Sequence, residues 1–146
     1  MKISALILLP FFSMLATGWL TNYKEAQKIA EEKHRLILLN FSGSDWCGPC
    51  IRLKKEIFES KTFEDFADSN LVLVNADFPR SSKNKLNKEQ VEQNESLAER
   101  YNTSGKFPLT LLLSADGKVL KEWDGLPDNG APAFVQQLKS ACNAHQ

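Results

Sequence analysis

The sequence Trp46-Cys47-Gly48-Pro49-Cys50 decides the interpretation of this chain, because it places two thiols three residues apart after an apolar run. Residues at positions i and i+3 lie on the same face of a helix, so their sulfurs can close a small disulfide. The residues that follow place Leu53, Ile57 and Phe58 at helical spacing between charged side chains. The pattern predicts a redox dithiol at the beginning of a helix.

This position predicts different roles for the two cysteines. The first backbone N–H groups of a helix and its dipole favour an anion, and Pro49 fits the first turn because no N–H donor is needed there. A cysteine thiol so placed can have a pKa well below its usual value of about 8.5. Because the thiolate is the reactive form, we predict that Cys47 is the nucleophile and Cys50 the resolving cysteine.

A single Cys-x-x-Cys motif also occurs in zinc sites and in inert structural disulfides. A zinc site needs more ligands, and the remaining candidates, Cys142, His34 and His145, are scattered without a second paired spacing. The preceding Trp, the Gly-Pro dipeptide and the strand before them favour a redox motif over a structural disulfide. We therefore expect no metal and no cofactor.

The motif and three further segments resemble the thioredoxin family. Residues 36–41 look like the strand that leads into its active site, residues 106–113 resemble the segment with its cis-proline, and residues 116–118 resemble its last hairpin turn. The resemblance extends over roughly residues 22–144. It implies an α/β fold, a thioredoxin-like three-layer sandwich in which helices flank a mixed central sheet, with Pro108 beside the dithiol.

The resemblance also implies supporting roles for Trp46, Gly48, Pro49 and a cis Pro108, although a trans proline at a strand edge is the alternative for Pro108. A proline there presents no N–H, while neighbouring backbone groups remain free to pair with an extended substrate. Phe107 is then either a substrate contact or a packing residue.

The amino terminus predicts where this chemistry takes place. Lys2 precedes about 13 mostly apolar residues and then Ala16-Thr17-Gly18, which is typical of a signal peptide and shorter than the ~20 residues of a membrane span. We predict a signal peptide at residues 1–18, a thioredoxin-like domain at residues 19–146, and a periplasmic or otherwise exported protein. The alternative is an uncleaved anchor extended by Trp19 and Leu20.

Composition restricts the partners of the chain. Its 146 residues include 18 basic and 18 acidic side chains, so there is no electrostatic case for binding nucleic acid or an acidic membrane. Without residues 1–18 the remainder has the size of one compact domain, which we expect to be a monomer.

The third cysteine, Cys142, recurs with Phe134, Val135 and Leu138 at helical spacing. We interpret it as a packing residue rather than a resolving or intermolecular thiol.

The rest of the chain alternates helices and strands. Asn22 is a plausible N-cap of a first helix and Thr62 of a short later one, and strands are predicted at 36–41, 71–76, 109–114 and 118–123. The alternation favours parallel central strands, with an antiparallel hairpin at Asp116-Gly117. Residues 78–90 are charged and predict a surface loop, which is either a solvated connection or a partner-docking segment.

One departure from the family concerns proton transfer. Thioredoxin has a buried Asp beneath the dithiol, and the best-matching position here is Asn40, which cannot titrate. Asp45 or a water is a candidate substitute, although Asp45 is better interpreted as a solvated loop carboxylate. We expect slower proton transfer to the buried thiol.

These observations favour an exported thiol-disulfide oxidoreductase that reduces or exchanges disulfides of client proteins. The Gly-Pro dipeptide favours a reductant, and an oxidising compartment then requires a membrane or periplasmic electron donor. Two alternatives remain: a non-catalytic binding or chaperone module with a thioredoxin fold, and a soft-metal carrier that uses both thiolates.

Overall fold

The computed structural model describes residues 18–145. The predicted signal peptide, apart from Gly18, lies outside these residues. Within these residues, five α-helices and four strands follow one another: α1 Tyr23–Lys33, β1 Leu36–Ser42, α2 Gly48–Leu53, α3 Lys61–Asn70, β2 Leu71–Asp77, α4 Lys88–Tyr101, β3 Leu109–Leu113, β4 Val119–Asp124 and α5 Gly130–Asn143. None of the helices within residues 18–145 is long and apolar enough to cross a membrane.

The four strands form one mixed sheet in the order β2-β1-β3-β4. Strand β1 pairs in parallel with β2 but antiparallel with β3, and β3 pairs antiparallel with β4. The mixed sheet and the terminal hairpin are confirmed, whereas the prediction of parallel central strands is wrong for β1 and β3. A parallel β3 would require α4 to return the chain to the end of the sheet at which β1 and β2 begin. The alternation of helices and strands does not reveal this path, and here β3 begins at the opposite end.

Helices cover both faces of the sheet, because the strands bury side chains on both. On one face Leu38, Leu73 and Leu112 pack with residues of α2, α3 and α5. On the other face the alternate positions, such as Ile37 and Leu39, pack with residues of α1 and α4. Strands buried on both faces explain the nearly continuous apolar runs of β1, β2 and β3. The three-layer sandwich is confirmed.

Side-chain caps set the beginnings of several helices. Asn22 caps α1 as predicted, since its side chain accepts a hydrogen bond from the Glu25 backbone N–H. The prediction that Thr62 caps the later helix is wrong: Ser60 accepts from the Phe63 backbone N–H, so α3 begins at Lys61. Helix α4 begins at Lys88 behind an Asn87 cap, and the predicted loop at 78–90 therefore ends at residue 87.

The segment that precedes α1 belongs to the fold. Leu20 pairs with the edge strand β2, because its backbone N–H donates to Leu73 O and its carbonyl accepts from Asn75 N. The Trp19 ring lies 4.7 Å from the Phe58 ring, measured between centroids. Trp19 and Leu20 therefore pack against the domain.

Cys142 lies in α5 and is buried, with its thiol free, beside Leu138. Burial raises the pKa of its thiol, so the reactive thiolate is disfavoured. The interpretation of Cys142 as a packing residue is consistent with this position.

We expect Cys142 to react with iodoacetamide only when the protein unfolds. Mass spectrometry of the reduced native protein should find alkylation at Cys47 within minutes and at Cys142 only after denaturant is added. Rapid native alkylation of Cys142 would overturn the packing assignment.

Candidate active site

The two motif cysteines form a disulfide at the beginning of α2. Their sulfurs are 2.08 Å apart and their Cα atoms 5.2 Å apart. Cys47 is the N-cap of the helix, and its Sγ accepts a hydrogen bond of 3.2 Å from the Cys50 backbone N–H. The motif therefore opens a helix, as predicted, with Gly48 and Pro49 in its first turn. The backbone donor is aimed at the Cys47 sulfur, where it can stabilise a negative charge.

The disulfide lies just below an exposed patch. Cys47 is 5% exposed and Cys50 is 4% exposed, whereas Gly48 and Pro49 between them are exposed. Ile51, directly after Cys50, is 47% exposed, which is unusual for a large apolar side chain in this domain. Gly48, Pro49 and Ile51 are therefore the exposed residues of the turn that contains the two buried cysteines.

The loop between β1 and Cys47 is shaped around Trp46. A Cβ atom at Gly43 would lie 2.3 Å from the Trp46 side chain, so glycine is required there. The Gly43 carbonyl accepts hydrogen bonds from the backbone N–H groups of Trp46 and Cys47. The loop before the motif thus holds the Trp46 ring and the start of α2.

Trp46 joins the dithiol segment to the proline segment. The Phe107–Pro108 peptide bond is cis. The Phe107 ring packs edge-on against Trp46, with ring centroids 5.5 Å apart, and against Phe78 at 5.4 Å. Because Trp46 precedes Cys47 and Phe107 precedes Pro108, these contacts set the cis-proline segment alongside the dithiol segment.

Asp45 anchors the segment that follows β2. Its carboxylate accepts hydrogen bonds of 2.9 Å from the backbone N–H groups of Arg80 and Ser81, and one of 3.0 Å from Asn84 Nδ2. Hydrogen bonds to Arg80, Asn84 and Ser81 lower the pKa of this carboxyl group. Asp45 is thus a loop anchor, a role that its interpretation as a solvated carboxylate or a proton-transfer group did not include.

We predict that the Asp45 anchor is lost only in acid. The carboxyl has a lower pKa in the folded than in the unfolded chain, so its stabilising effect is present above the unfolded value of about 3.9 and disappears as the pH falls through the folded value. NMR shifts of the Arg80 and Ser81 amides should titrate together with a midpoint below about 3.9. In Asp45→Ala both amides should lose protection from hydrogen exchange, and in the control Asp65→Ala they should keep it.

Asn40 lies in a buried polar row across the sheet. Its Nδ2 donates to Asn75 Oδ1 at 3.0 Å in β2, and its Oδ1 accepts from Thr110 Oγ1 at 3.1 Å in β3. These residues share the sheet face of Leu38, on which α2 packs. The row satisfies the Asn40 amide with neutral partners, so the position that resembles the buried Asp of thioredoxin holds an uncharged group, as its sequence indicated.

Residues 77–87 form an ordered connection. Asp77, the last residue of β2, accepts hydrogen bonds from Ser42 at the end of β1 and from Ser44 in the loop before the motif. The Trp46 Nε1 donates to Phe78 O at 2.7 Å. A cavity of about 340 Å³ lies between this connection and α4. The sequence indicated the length and charge of this connection but not its attachment to the dithiol loop.

Among residues 18–145, no group of three or more His, Cys, Asp or Glu side chains is arranged to hold a metal ion.

A disulfide that caps a helix, next to a cis-proline segment in a mixed four-stranded sandwich, defines a thiol-disulfide oxidoreductase of the thioredoxin fold. A family model described as a thioredoxin-like domain matches residues 23–141. The chain belongs to this family.

Two relatives show which members of the family the chain is similar to. The disulfide bond reductase DsbH of Chlamydia pneumoniae is 38% identical over 120 residues, which cover 82% of this chain and 70% of the relative. The thioredoxin-related protein DsbJ of Chlamydia pneumoniae is 32% identical over 102 residues, which cover 70% of this chain but only 28% of that longer protein.

A solved structure described as a DsbH oxidoreductase superposes with a TM-score of 0.79 at 32% identity, covering 97% of this chain and 95% of that one. Together with the paired cysteines, these similarities identify the chain as a thiol-disulfide oxidoreductase.

Proposed function

We propose that this protein is an exported reductase of protein disulfides, in which Cys47 attacks the client and Cys50 releases it. The observation that carries the proposal is the hydrogen bond from the Cys50 backbone N–H to Cys47 Sγ at the N-cap of α2. In the reduced protein this donor favours the thiolate at Cys47 over the thiolate at Cys50. The name of the relative DsbH, a disulfide bond reductase, supports the same direction.

The reaction proceeds by two exchanges. The Cys47 thiolate attacks one sulfur of a client disulfide, a new bond joins these two sulfurs, and the other client sulfur leaves as a thiolate and takes up a proton. Cys50 then loses its proton and attacks Cys47 Sγ, which re-forms the Cys47–Cys50 disulfide and releases the second client thiolate. The second client thiolate also takes up a proton from solvent. The client thus gains two electrons and two protons: the enzyme supplies both electrons, Cys50 supplies one proton, and the other equals the proton that Cys47 lost to solvent when it ionised.

The surface beside the sulfurs suits an extended client segment. Pro108 has no N–H, and the Lys106 N–H and carbonyl are already bonded to the Asn102 side chain. The backbone groups that pair with the client main chain are therefore those of Phe107. Phe107 and Ile51 supply apolar contact beside the cysteines, with Phe107 held by Trp46 and Phe78. Trp46, Gly48 and Pro49 support the site: Trp46 by packing, Gly48 and Pro49 by forming the first helical turn.

Export is proposed from the amino-terminal sequence, with cleavage after Gly18. The packing of Trp19 on Phe58 and the pairing of Leu20 with β2 support this boundary, since both residues serve the domain rather than an extended membrane segment. In an oxidising compartment the disulfide must be reduced again by a dithiol donor on the membrane or in the periplasm. We propose that the enzyme acts as a monomer.

Reduction of insulin by dithiothreitol tests the proposed function. The wild-type protein should accelerate precipitation of the insulin chains, and Cys47→Ser should not exceed dithiothreitol alone, because it lacks the attacking thiolate. The variant Cys142→Ala is the matched control and should keep the wild-type rate. Acceleration that survives in Cys47→Ser would contradict the mechanism. A wild-type protein that binds unfolded clients without turnover would favour a chaperone module, and stoichiometric binding of copper(I) would favour a metal carrier.

A further inference from the structure

Arg80 occupies a position that the reaction described above does not use. Its guanidinium lies over the Trp46 ring, with Cζ 3.7 Å from the ring centroid. The backbone of Arg80 is fixed independently, because its N–H donates to Asp45 at 2.9 Å. A cation stacked on an aromatic ring is held in one orientation while the edges of its planar group remain open. Arg80 is therefore a positioned cation on the residue that precedes Cys47.

The guanidinium of Arg80 lacks an acidic partner within residues 18–145. It takes part in no ion pair or hydrogen bond there, and the residue is exposed. The two nearby carboxylates are already engaged by other donors: Asp45 accepts from Ser81 and Asn84, and Asp77 accepts from Ser42 and Ser44. The N–H donors of Arg80 are thus available to a ligand from outside the chain.

The connection that carries Arg80 is positively charged. Lys83 and Lys85 lie on it, both exposed. Of the carboxylates beside it, Asp45 and Asp77 fasten it to the dithiol loop, and Glu95 of α4 lines the cavity beneath it. After Cys50, the exposed side chain of Ile51 is apolar. A client that crosses the dithiol therefore meets a cationic surface on the Trp46 side, which complements a carboxylate.

We propose that Arg80 is a specificity-determining residue that favours client disulfides flanked by Asp or Glu. The partner is an extended polypeptide segment whose carboxylate binds the Arg80 guanidinium while its cysteine faces Cys47. This inference rests on the proposed reductase function and adds a preference among its substrates. An arginine suits the role because its planar group stacks on Trp46 and can still bind a carboxylate through two N–H groups.

Symmetric disulfide dimers of one short peptide test this preference. Three versions carry Glu, Gln or Lys on both sides of the cysteine, so either sulfur presents the same neighbours to Cys47. The second-order rate constant for reduction is measured at low salt with the reduced wild-type protein, Arg80→Gln and Lys83→Gln. Flanking charges alter the intrinsic reactivity of the peptides, but this effect cancels when the Glu-to-Lys rate ratio of a variant is divided by that of the wild type.

The Glu-to-Lys ratio should fall about fivefold in Arg80→Gln. The variant loses both the exposed ion pair with the Glu peptide and the repulsion between Arg80 and the Lys peptide. Lys83→Gln removes the same charge from the same connection and should change the ratio by less than about twofold. The Ser81 amide shift checks that Asp45 still holds the connection in Arg80→Gln. Equal changes in the two variants, or none in Arg80→Gln, would overturn the role of Arg80 while leaving the reductase function intact. Failure to reduce any of the three peptides would overturn both.

Discussion

Replacement of Cys50 by Ser should trap the enzyme on its client. Without the resolving thiol, the bond between Cys47 and the client sulfur has no internal nucleophile to break it, so a mixed disulfide should accumulate and turnover should fall to the background rate. Non-reducing gel electrophoresis followed by mass spectrometry measures the adduct and its site. Capture from an extract would also identify clients.

The matched variant Cys47→Ser separates the roles of the two cysteines. Cys50 is one turn inside α2 and lacks the N-cap position of Cys47, so Cys47→Ser should form no client adduct. An adduct through Cys50 in Cys47→Ser, at a yield similar to that of Cys50→Ser, would reverse the assignment of nucleophile and resolving cysteine.

Replacement of Asn40 by Asp should introduce a strong pH dependence of stability. A protonated Asp can keep both hydrogen bonds, donating to Asn75 and accepting from Thr110, whereas an ionised one is buried among neutral groups. Burial should raise the folded-state pKa of that carboxyl by about three units. The variant should then be nearly as stable as the wild type at about pH 4 and lose about 4 kcal/mol as the pH rises toward 7.

Urea unfolding at a series of pH values measures this effect, with Asn75→Asp as a comparison in the less buried member of the row. Because Asn40 lies on the sheet face that α2 covers, the Asn40→Asp variant should also add an ionisation to the pH profile of client reduction. An unchanged pH profile would argue against the idea that the missing carboxylate limits proton transfer to the resolving thiol.

Local patterns in the sequence were sufficient to predict much of the site. The spacing of Cys47 and Cys50 and the helical spacing of the residues after them predicted a dithiol at a helix N-terminus, since both depend on positions close in the chain. The Asp116-Gly117 hairpin was predictable for the same reason: Gly117 has a positive φ of 88° that the turn requires. The helical spacing of Cys142 with Phe134 and Leu138 likewise predicted that Cys142 lies on the buried face of α5.

Features that depend on the register between strands or on distant contacts were not predictable. The polar row through Asn40 requires that Asn75 and Thr110 stand opposite it in two different strands. The hydrogen bonds of Asp45 join residues some 35 positions apart. Ser60 and Thr62 are both capable N-caps, and only the backbone conformation selects Ser60. The direction of β3 depends on the path of the chain around α4, which no local pattern encodes.

The dithiol is therefore one part of a larger arrangement. Trp46 packs with Phe107 before the cis-proline, Asp45 ties down the connection that carries Arg80, and Asn40 replaces a titratable group with a neutral one. These contacts suggest that the chemistry is set by the motif, whereas the choice of client and the handling of protons are set by residues outside it.

The reduction potential of the Cys47–Cys50 disulfide is the most direct test of the reductase function. The purified protein lacking residues 1–18 is equilibrated with mixtures of reduced and oxidised glutathione, or of reduced and oxidised dithiothreitol where the glutathione range is too oxidising. The free thiols are then alkylated, and mass spectrometry measures the fraction of reduced protein. We predict a potential near the value of about −270 mV typical of thioredoxin. A potential near about −120 mV, that of a strong periplasmic oxidant, would contradict the account.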